Sequence, residues 1–121
     1  MSRIRSRGTV PERRVQKTLD RMLLAYVDHP KIYGNPDFLV GGTALFVDGC
    51  FWHCCPEHFR LPKANRGFWK RKFRRNRRRD LEVNERLAME RYRVVRIWEH
   101  ETKDGLLCEK LEELLHEKID V

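Results

Sequence analysis

The sequence lacks a run of apolar residues long enough to cross a membrane, and its start lacks the apolar centre of a secretory signal. A membrane-spanning helix needs about 18 to 20 mainly apolar residues. The opening MSRIRSRGTVPERR is instead rich in arginine, whereas a signal peptide has an apolar stretch behind its positive end. We therefore expect a soluble, intracellular protein and no association with a membrane.

The chain also lacks internal repeats and a recognisable linker. Most domains contain roughly 100 to 150 residues, and a chain of this size can bury only one core. With 121 residues, we expect one domain covering residues 1–121, in which residues 1–8 form a flexible arm. Any functional site must then be built on that single core.

Acidic side chains are missing from residues 60–79, RLPKANRGFWKRKFRRNRRR, which hold eleven of the 26 lysine and arginine residues. The rest of the chain contains 15 basic and 18 acidic residues, so the positive net charge of +8 is concentrated in this segment. A basic run can be only a solvated helix face. Here Phe68, Trp69 and Phe73 interrupt the run, and interleaved guanidinium groups and rings suit phosphates and bases. The segment favours nucleic-acid binding.

Three of the four cysteines lie in residues 47–59, VDGCFWHCCPEHF, together with two histidines. Paired as disulfides, four cysteines would suit a secreted protein, but without an export signal a reducing compartment is expected. Clustered cysteine and histidine are then typical of metal ligands. The fourth cysteine, Cys108, is expected to be a small buried residue, because free cysteine is among the most buried types.

The first helix is indicated by Thr9 followed by Glu12, with Pro11 in the first turn, a capping-box pattern. We expect it to continue to about residue 26, because one apolar stripe runs at spacings of three and four. The members of this stripe are Val15, Leu19, Met22, Leu23 and Tyr26.

The rest of the chain predicts the order α, β-hairpin, α, β, α. Residues 29–36 are typical of a loop, and Gly41-Gly42 joins two short apolar runs in residues 37–47, as in a two-residue hairpin. A long charged helix is expected over residues 67–91, and a third strand over residues 92–98. An amphipathic helix closes the chain over residues 104–119, with its apolar side formed by Leu107, Leu111, Leu114 and Leu115.

The hairpin register brings two acids close together. If Val40 pairs with Thr43, then Asp37 and Asp48 lie on one face as diagonal neighbours, with Cβ atoms about 7 to 8 Å apart. Two such carboxylates can converge on a magnesium ion. The alternative is that each acid points into solvent or caps a turn at a strand end. Geometry alone leaves both interpretations open.

Several motifs resemble those of the very short patch repair (Vsr-type) endonucleases, a branch of the PD-(D/E)XK-like nuclease superfamily. They are GNPDF, VDGCFWH, LPKAN, FWKRKFRRNRRRD and RVVRIWEHE, which lie between residues 34 and 101, and the similarity extends from about residue 2. The combination of Cys-Phe-Trp-His, Trp-x6-Asn-x3-Asp and WEHE is specific. The resemblance implies an α/β fold: a three-layer α/β/α restriction-endonuclease-like core with a small central sheet and a structural zinc site.

The resemblance also implies catalytic residues. It assigns Asp37 as the central magnesium-binding carboxylate, Glu12 as a helix-borne acid near the scissile phosphate, His53 as the acid/base histidine and Asp80 as a further acid. Asp48 stands where the best-known members have histidine. An aspartate cannot replace histidine near neutral pH, but it can bind a metal, so magnesium ligands are expected to be Asp37 and Asp48.

A structural zinc ion needs four cysteine or histidine ligands. The expected set is Cys50, Cys55, His58 and His100. Two substitutions in this set stay open: Cys54 can replace Cys55, and strict alignment with the relatives places Glu57 where His58 is chosen. His29 and His116 are assigned no role.

In the relatives, rings at the positions of Phe51, Trp52 and Trp69 wedge into the base stack beside a mismatched pair. A wedge costs a few kcal/mol of unstacking, least where pairing is already weak. The alternative is that these rings fill a small core. The DNA-binding residues expected overall are Phe51, Trp52, Trp69, Arg71, Arg74, Arg75, Asn76 and Arg78.

The sequence thus predicts a magnesium-dependent endonuclease with structural zinc that nicks double-stranded DNA, with T:G mismatches as the leading substrate. The alternatives are a stand-alone or homing-type nuclease of the same family, which cuts a specific matched site, and a catalytically silent, zinc-stapled nucleic-acid-binding module. We expect a monomer in the cytoplasm of a bacterium or phage, with transient contacts to repair proteins. Neither the recognition sequence nor the number of strands cut can be inferred.

Overall fold

The computed structural model describes residues 8–50, 55, 60–103 and 105–116. Within these ranges the chain forms a four-stranded mixed sheet with helices packed on its two faces. The elements are α1 (Val10–Arg21), β1 (Val27–Asp28), β2 (Phe38–Val40), β3 (Thr43–Asp48), α2 (Arg66–Met89), β4 (Arg93–Trp98), a 3₁₀ helix (Glu99–Lys103) and α3 (Leu107–His116). The predicted element order is confirmed, and β1 and the 3₁₀ helix are additions to it.

Helix α1 begins as the capping-box pattern predicts. The Thr9 hydroxyl accepts a hydrogen bond from the Glu12 N–H at 3.3 Å, and Val15 and Leu19 are fully buried. The helix ends earlier than expected, because Leu23 has a left-handed φ of 60° that a right-handed helix cannot contain. Leu23 is also 90% exposed, so its assignment to the buried stripe was wrong.

The predicted hairpin is confirmed at its turn and in its register. Val40 pairs with Thr43, and Gly41 has a φ of 61°, which glycine adopts without steric cost. Strand β1 extends the antiparallel part by pairing Val27 with Leu39. Strand β4 adds to β3 in parallel, and α2 provides the crossover that a parallel pair requires.

Alternate residues of the strands face two separate apolar clusters. On one face, α1 and α3 cover a cluster formed by Val15, Leu19, Phe38, Val40, Leu45, Val95, Ile97, Leu107 and Leu111. On the other face, α2 covers a smaller cluster formed by Ala44, Phe46, Val83 and Leu87. The sheet is therefore buried on both sides, which positions the ends of its strands next to both helical layers.

Helix α2 is long and strongly basic, but one side of it is anchored to the fold. Phe73, Val83 and Leu87 are its buried residues. The loop before β2 approaches so closely that a Cβ on Gly34 would lie 2.5 Å from Val83 Cγ1, which leaves space only for glycine. No helix within the described ranges combines the length and apolar character needed to span a membrane.

Helix α3 buries the apolar side that the sequence predicts, through Leu107 and Leu111, with Leu114 and Leu115 partly buried beside them. Cys108 is exposed, so the expectation that it is buried was wrong. Since residues one apart on a helix point in different directions, the burial of Leu107 turns the neighbouring Cys108 side chain toward solvent.

Candidate active site and metal centres

Three groups that can bind a metal ion meet at the beginning of α1 and the start of β2. One ligand atom each from Glu12, His29 and Asp37 lies within 4.8 Å of the other two. Glu12 belongs to the first turn of α1, while Asp37 precedes β2 directly. The first turn of a helix leaves backbone N–H groups unpaired and is electrostatically favourable for anions. Two acids predicted as catalytic are thus brought together.

Asp37 is held in an unusual electrostatic environment. Its Oδ2 accepts a hydrogen bond from the Val47 N–H at 2.7 Å. Burial, followed by the nearby negative charges of Glu12 and Asp48, raises the pKa of Asp37 to about 7, although the Val47 bond opposes the shift. An ordinary aspartate has a pKa near 3.9. The carboxylate form of Asp37 is therefore destabilised where no cation compensates it.

Glu12 is 6% exposed and is oriented by the backbone. Its Oε1 accepts from the Gly8 N–H at 3.0 Å, and the same oxygen lies 3.3 Å from His29 Nε2. The capping-box pattern is thus only half fulfilled: the Thr9 hydroxyl accepts from the Glu12 N–H, but the Glu12 carboxylate accepts from the Gly8 N–H rather than from that of Thr9. That contact directs the carboxylate toward Asp37 and His29.

Asp48 and Asp80 meet at a different side chain, Arg96 of β4. Arg96 Nη1 donates to Asp48 Oδ1 and Oδ2, both at 3.1 Å, and lies 3.9 Å from Asp80 Oδ1. Arg96 Nε donates to Asn84 Oδ1 at 2.9 Å. The guanidinium also covers the Phe46 ring at 4.1 Å. Arg96 therefore connects β3 to α2 through two of the predicted acids.

This arrangement differs from the simple pair of acids that the hairpin geometry predicts. Asp37 groups with Glu12 and His29, whereas both oxygens of Asp48 accept hydrogen bonds from Arg96. Asp48 remains close enough for its charge to raise the pKa of Asp37. Magnesium binding by Asp48 stays a prediction, as does the role of His53, which lies outside the described residues together with Phe51 and Trp52.

A second cluster joins the loop after β3 to the 3₁₀ helix after β4. Cys50 Sγ lies 3.4 Å and Cys55 Sγ 3.6 Å from His100 Nδ1. The Cys55 N–H donates to the Cys50 carbonyl at 2.9 Å, and the Cys50 N–H donates to Glu99 Oε1 at 3.2 Å. These three side chains could bind a metal ion. Cys54, Glu57 and His58 lie outside the described residues.

The basic segment forms most of the first part of α2, with its charged side chains turned outward. Arg71, Arg74, Arg75 and Arg78 are all exposed. Their spacing of three and four residues places them along one side of the helix. Asn76 is partly buried. The structure thus provides a continuous row of guanidinium groups at the surface.

The aromatic residues of α2 form a small stack at its start. Trp69 stacks on Phe73, with ring centroids 5.5 Å apart and planes 22° apart, and Phe68 contacts Trp69 edge-on at 5.1 Å. Phe73 is buried, whereas Phe68 is 50% exposed. Trp69 lies between them as a partly buried ring. Its role as a wedge stays a prediction.

Sequence reasoning missed two residues of this region. His29 was assigned no role, yet it belongs to the cluster with Glu12 and Asp37. Arg96 was regarded only as part of a strand, yet it binds Asp48 and approaches Asp80. No local pattern marks either residue, because each finds its partners on other elements: Glu12 lies 17 positions from His29, and Asp48 lies 48 positions from Arg96.

Similarity to known proteins identifies the family. The family model described as DNA mismatch endonuclease Vsr matches residues 1–57. The type II nicking enzyme V.NaeI of Lentzea aerocolonigenes is 37% identical over 120 residues, which cover 93% of this chain and 72% of that protein. The DNA mismatch endonuclease Vsr of Escherichia coli (strain K12) is 34% identical over 125 residues, covering 93% and 79%. The chain belongs to the Vsr family of DNA endonucleases.

A solved structure supports the fold of this Vsr-family chain. The catalytic domain of the homing endonuclease I-Bth0305I superposes with a TM-score of 0.54 at 28% sequence identity, covering 90% of this chain and 92% of that domain. The expected family, the enzyme class and an α/β endonuclease-like fold with a small sheet are therefore confirmed. Membership of this nuclease family implies dependence on a divalent metal ion.

Proposed function

We propose that this Vsr-family endonuclease nicks duplex DNA at T:G mismatches by magnesium-dependent hydrolysis of a phosphodiester bond. The observation that carries the proposal is the pairing of buried Glu12 with Asp37, whose pKa is raised to about 7 by burial and by neighbouring negative charge. Buried like charges are costly unless a cation compensates them. Such a site is suited to a divalent ion that must act beside a phosphate.

The side chains present fit a divalent cation. Carboxylate oxygens are the ligands that magnesium prefers, and Asp37 and Glu12 provide them within one cluster. Asp48 adds a further carboxylate close to Asp37, and a carboxylate has about four lone-pair sites, so its contact with Arg96 does not by itself exclude a cation. The bound ion would supply positive charge that stabilises the charge developing on the phosphate and the leaving oxygen.

The protein side chains would orient the attacking water and transfer protons. Glu12 accepts a hydrogen bond from the attacking water and orders it. His53 takes a proton from that water or donates one to the leaving oxygen, a contribution of roughly 10² to 10⁴ in rate. The water oxygen bonds to phosphorus as the bond from phosphorus to the leaving oxygen breaks. Arg96, which contacts Asp48 and approaches Asp80, would keep these two acids in position for the reaction.

The exposed row Arg71, Arg74, Arg75 and Arg78 would bind the DNA backbone, with Asn76 beside it. Arginine pairs well with phosphate oxygens because its planar guanidinium offers two parallel donors. Contacts of this type orient a duplex without reading its sequence. They would place a DNA strand along the basic side of α2.

The cysteine cluster would hold a structural zinc ion. Cys50, Cys55 and His100 lie close together and have the donor chemistry of zinc sites. His58 is the proposed fourth ligand. Since Cys50 follows β3 and His100 follows β4, the ion would tie together the ends of the two parallel strands. Binding of the ion by both Cys50 and Cys55 would also restrain the short segment between these two cysteines, which contains His53.

Selection of a mismatch would depend on Phe51, Trp52 and Trp69. A ring that inserts between bases costs least free energy where the adjacent base pair is already weak.

Relatives of this chain are named as a DNA mismatch endonuclease and as type II nicking enzymes, which supports nicking. The likeness to a homing endonuclease domain favours the second candidate, cleavage of a specific matched site. We propose that a monomer makes the nick.

The test uses end-labelled duplexes that differ only in one T:G pair, incubated with and without magnesium. We expect one labelled strand of the mismatched duplex to be nicked in magnesium. Preferential cleavage of a matched site selects the homing-type candidate. Binding without cleavage in any divalent metal supports the silent binding module and overturns the proposal. Asp37→Asn serves as the control, because it keeps the size of the side chain and removes its charge.

A further inference from the structure

His29 is the member of the acidic cluster that the proposed reaction does not use. Its Nε2 is buried and has no hydrogen-bond partner within the described residues, although it lies 3.3 Å from Glu12 Oε1. A buried polar atom without a partner costs free energy. The Nε2 atom lies close to the carboxylates of Glu12 and Asp37, and a cation bound by all three groups would remove this cost.

The histidine is held firmly in that position. His29 has a φ of 50°, a backbone conformation that only a few per cent of residues other than glycine adopt. Its N–H donates to the Asp37 carbonyl at 2.9 Å, so the backbone of one cluster member fixes that of another. A strained conformation persists only where the surrounding structure imposes it, and such residues concentrate at functional sites.

The other ring nitrogen has the partner that a metal-binding histidine usually has. His29 Nδ1 lies 2.5 Å from Asp28 Oδ1. Histidines that bind metals generally donate their second N–H to a carboxylate or carbonyl, which fixes the tautomer and the ring orientation. With the proton on Nδ1, the lone pair of Nε2 points toward Glu12 and Asp37. A cation between them turns this repulsive arrangement into an attractive one.

We propose that Glu12, His29 and Asp37 form a mixed carboxylate and imidazole site for the divalent ion, and that His29 gives it a preference for manganese over magnesium. The inference rests on the proposed function in placing that ion at Asp37. Magnesium favours oxygen ligands and a regular shell of water. Manganese accepts the same carboxylate oxygens, and as a transition metal it binds an imidazole nitrogen more readily than magnesium, which strongly prefers oxygen.

The test measures metal binding directly on the full chain without DNA. Free Mn²⁺ is followed by electron paramagnetic resonance as it is titrated into the protein, and Mg²⁺ is then added as competitor. Two variants remove the imidazole with different backbone consequences. His29→Asn keeps a residue that tolerates positive φ, and His29→Gly relieves the strain. Lys31→Gln, an exposed site in the same loop, is the matched control.

We expect both His29 variants to lose at least about 10- to 100-fold in Mn²⁺ affinity, because removal of an outer partner of a metal ligand already costs that much, while their Mg²⁺ affinity changes only a few fold. Lys31→Gln should bind both ions as the parent does. Thermal unfolding without added metal checks that each variant is folded. Mn²⁺ affinities within twofold of the parent in both folded variants would overturn the inference and leave His29 with only a structural role beside Glu12 and Asp28.

The nicking assay separates this inference from the proposed function. A parent protein that binds Mn²⁺ through His29 but cuts no duplex overturns the proposed function and supports the metal site. A parent that nicks DNA in magnesium, with His29 variants that keep full Mn²⁺ affinity, overturns only the role of His29. If folded Asp37→Asn binds Mn²⁺ as tightly as the parent, the ion lies elsewhere and the inference fails.

Discussion

Arg96 donates from one nitrogen to both carboxylate oxygens of Asp48, at 3.1 Å each. The Asp48 side chain is 7% exposed and that of Arg96 20% exposed, so water screens this pair little. Both residues lie on neighbouring parallel strands, and Asp80 of α2 approaches the same guanidinium at 3.9 Å. The pair offsets part of the charge of a carboxylate at the end of β3, which still contributes to the raised pKa of Asp37.

The first prediction concerns removal of this guanidinium. Arg96→Met keeps much of the side-chain volume and removes the guanidinium from beside the buried Asp48 carboxylate. We expect a loss of about 3–5 kcal/mol in the free energy of unfolding, the usual cost of removing one partner of a buried pair. Urea denaturation near neutral pH measures it. The control is Arg86→Met, which breaks an exposed pair with Glu90 and should cost under about 1 kcal/mol.

A double variant makes this prediction sharper. If the cost comes from the buried Asp48 charge after loss of the guanidinium, then adding Asp48→Asn to Arg96→Met should restore part of the lost stability, because a buried amide costs less than a buried charge. Equal losses in Arg96→Met and Arg86→Met would contradict the argument. So would simple additivity of the Asp48 and Arg96 substitutions.

The second prediction concerns Asp37 and pH. Its pKa is raised to about 7 in the folded chain, above the value near 3.9 expected in the unfolded chain. The folded state therefore binds more protons between these values, and the stability contributed by protonated Asp37 is lost as pH rises from about 4 to about 7. Without added divalent ions, Asp37→Asn should unfold at higher denaturant concentration than the parent at pH 8.

The stabilisation by Asp37→Asn should be on the order of a few kcal/mol, at about 1.4 kcal/mol per pKa unit. The same variant should lose magnesium-dependent nicking and keep DNA affinity within a few fold, because Asp37 is proposed to bind the ion rather than a phosphate. Stability that is independent of pH in both proteins would show that Asp37 is charged at little cost. Nicking at the parental rate would remove Asp37 from the active site.

The third prediction concerns the cysteine cluster. Elemental analysis of the purified chain should find about one zinc per molecule, since four cysteine and histidine ligands form one closed site. Cys50→Ser should abolish the zinc and reduce the cooperativity of unfolding, because metal binding and folding are coupled in such sites. Cys108→Ser, an exposed cysteine outside the cluster, should change neither quantity. Native protein without zinc would refute the assignment.

The fourth prediction concerns the basic side of α2. If Arg71, Arg74, Arg75 and Arg78 neutralise phosphates, the logarithm of DNA affinity should fall with the logarithm of salt by about 0.9 per contact. Each single substitution by glutamine should reduce this slope by about 0.9. The control is Lys17→Gln, an exposed charge on α1 across the sheet. Equal slopes in all five variants would place the DNA elsewhere.

The features that depend on neighbouring residues were predicted well from the sequence. The Gly41-Gly42 turn sets the hairpin register, and Thr9 sets the start of α1, because both act over a few positions. The end of α1 was missed, since apolar periodicity continues through Leu23 although the backbone turns left-handed there. The two-residue strand β1 has too short a pattern to recognise and forms only because β2 lies beside it.

The candidate site was predicted in part, for the same reason. Similarity to a family locates single acids such as Asp37, but the grouping of side chains depends on how helices and strands pack. His29 reaches the cluster from a loop, and Arg96 reaches Asp48 from the adjacent strand. Neither contact leaves a signal in the spacing of residues. Only the folded arrangement distinguishes an acid that faces a histidine from one that is paired with arginine.

The fifth prediction separates a wedge from a core ring at Trp69. This ring stacks on buried Phe73 and contacts exposed Phe68, so it could serve either role. If Trp69 acts as a wedge, Trp69→Ala should lower the ratio of the nicking rate on the T:G duplex to that on the matched duplex. The affinity for duplex DNA should fall less, because arginine contacts to phosphate do not depend on base pairing. Trp52→Ala should behave in the same way.

The control for Trp69 is Phe73→Leu, which changes the buried neighbour and leaves the tryptophan in place. Truncating either Trp69 or Phe73 would leave a cavity that lowers stability, so stability alone does not distinguish a wedge from a core ring. The deciding comparison is the mismatch preference at one salt concentration, in magnesium, for parent, Trp69→Ala and Phe73→Leu. If Trp69→Ala keeps the preference of the parent and loses as much stability as Phe73→Leu, the ring belongs to the core. If Trp69→Ala nicks the T:G and matched duplexes at nearly equal rates while Phe73→Leu retains the mismatch preference of the parent, the Trp69 ring acts on the base stack.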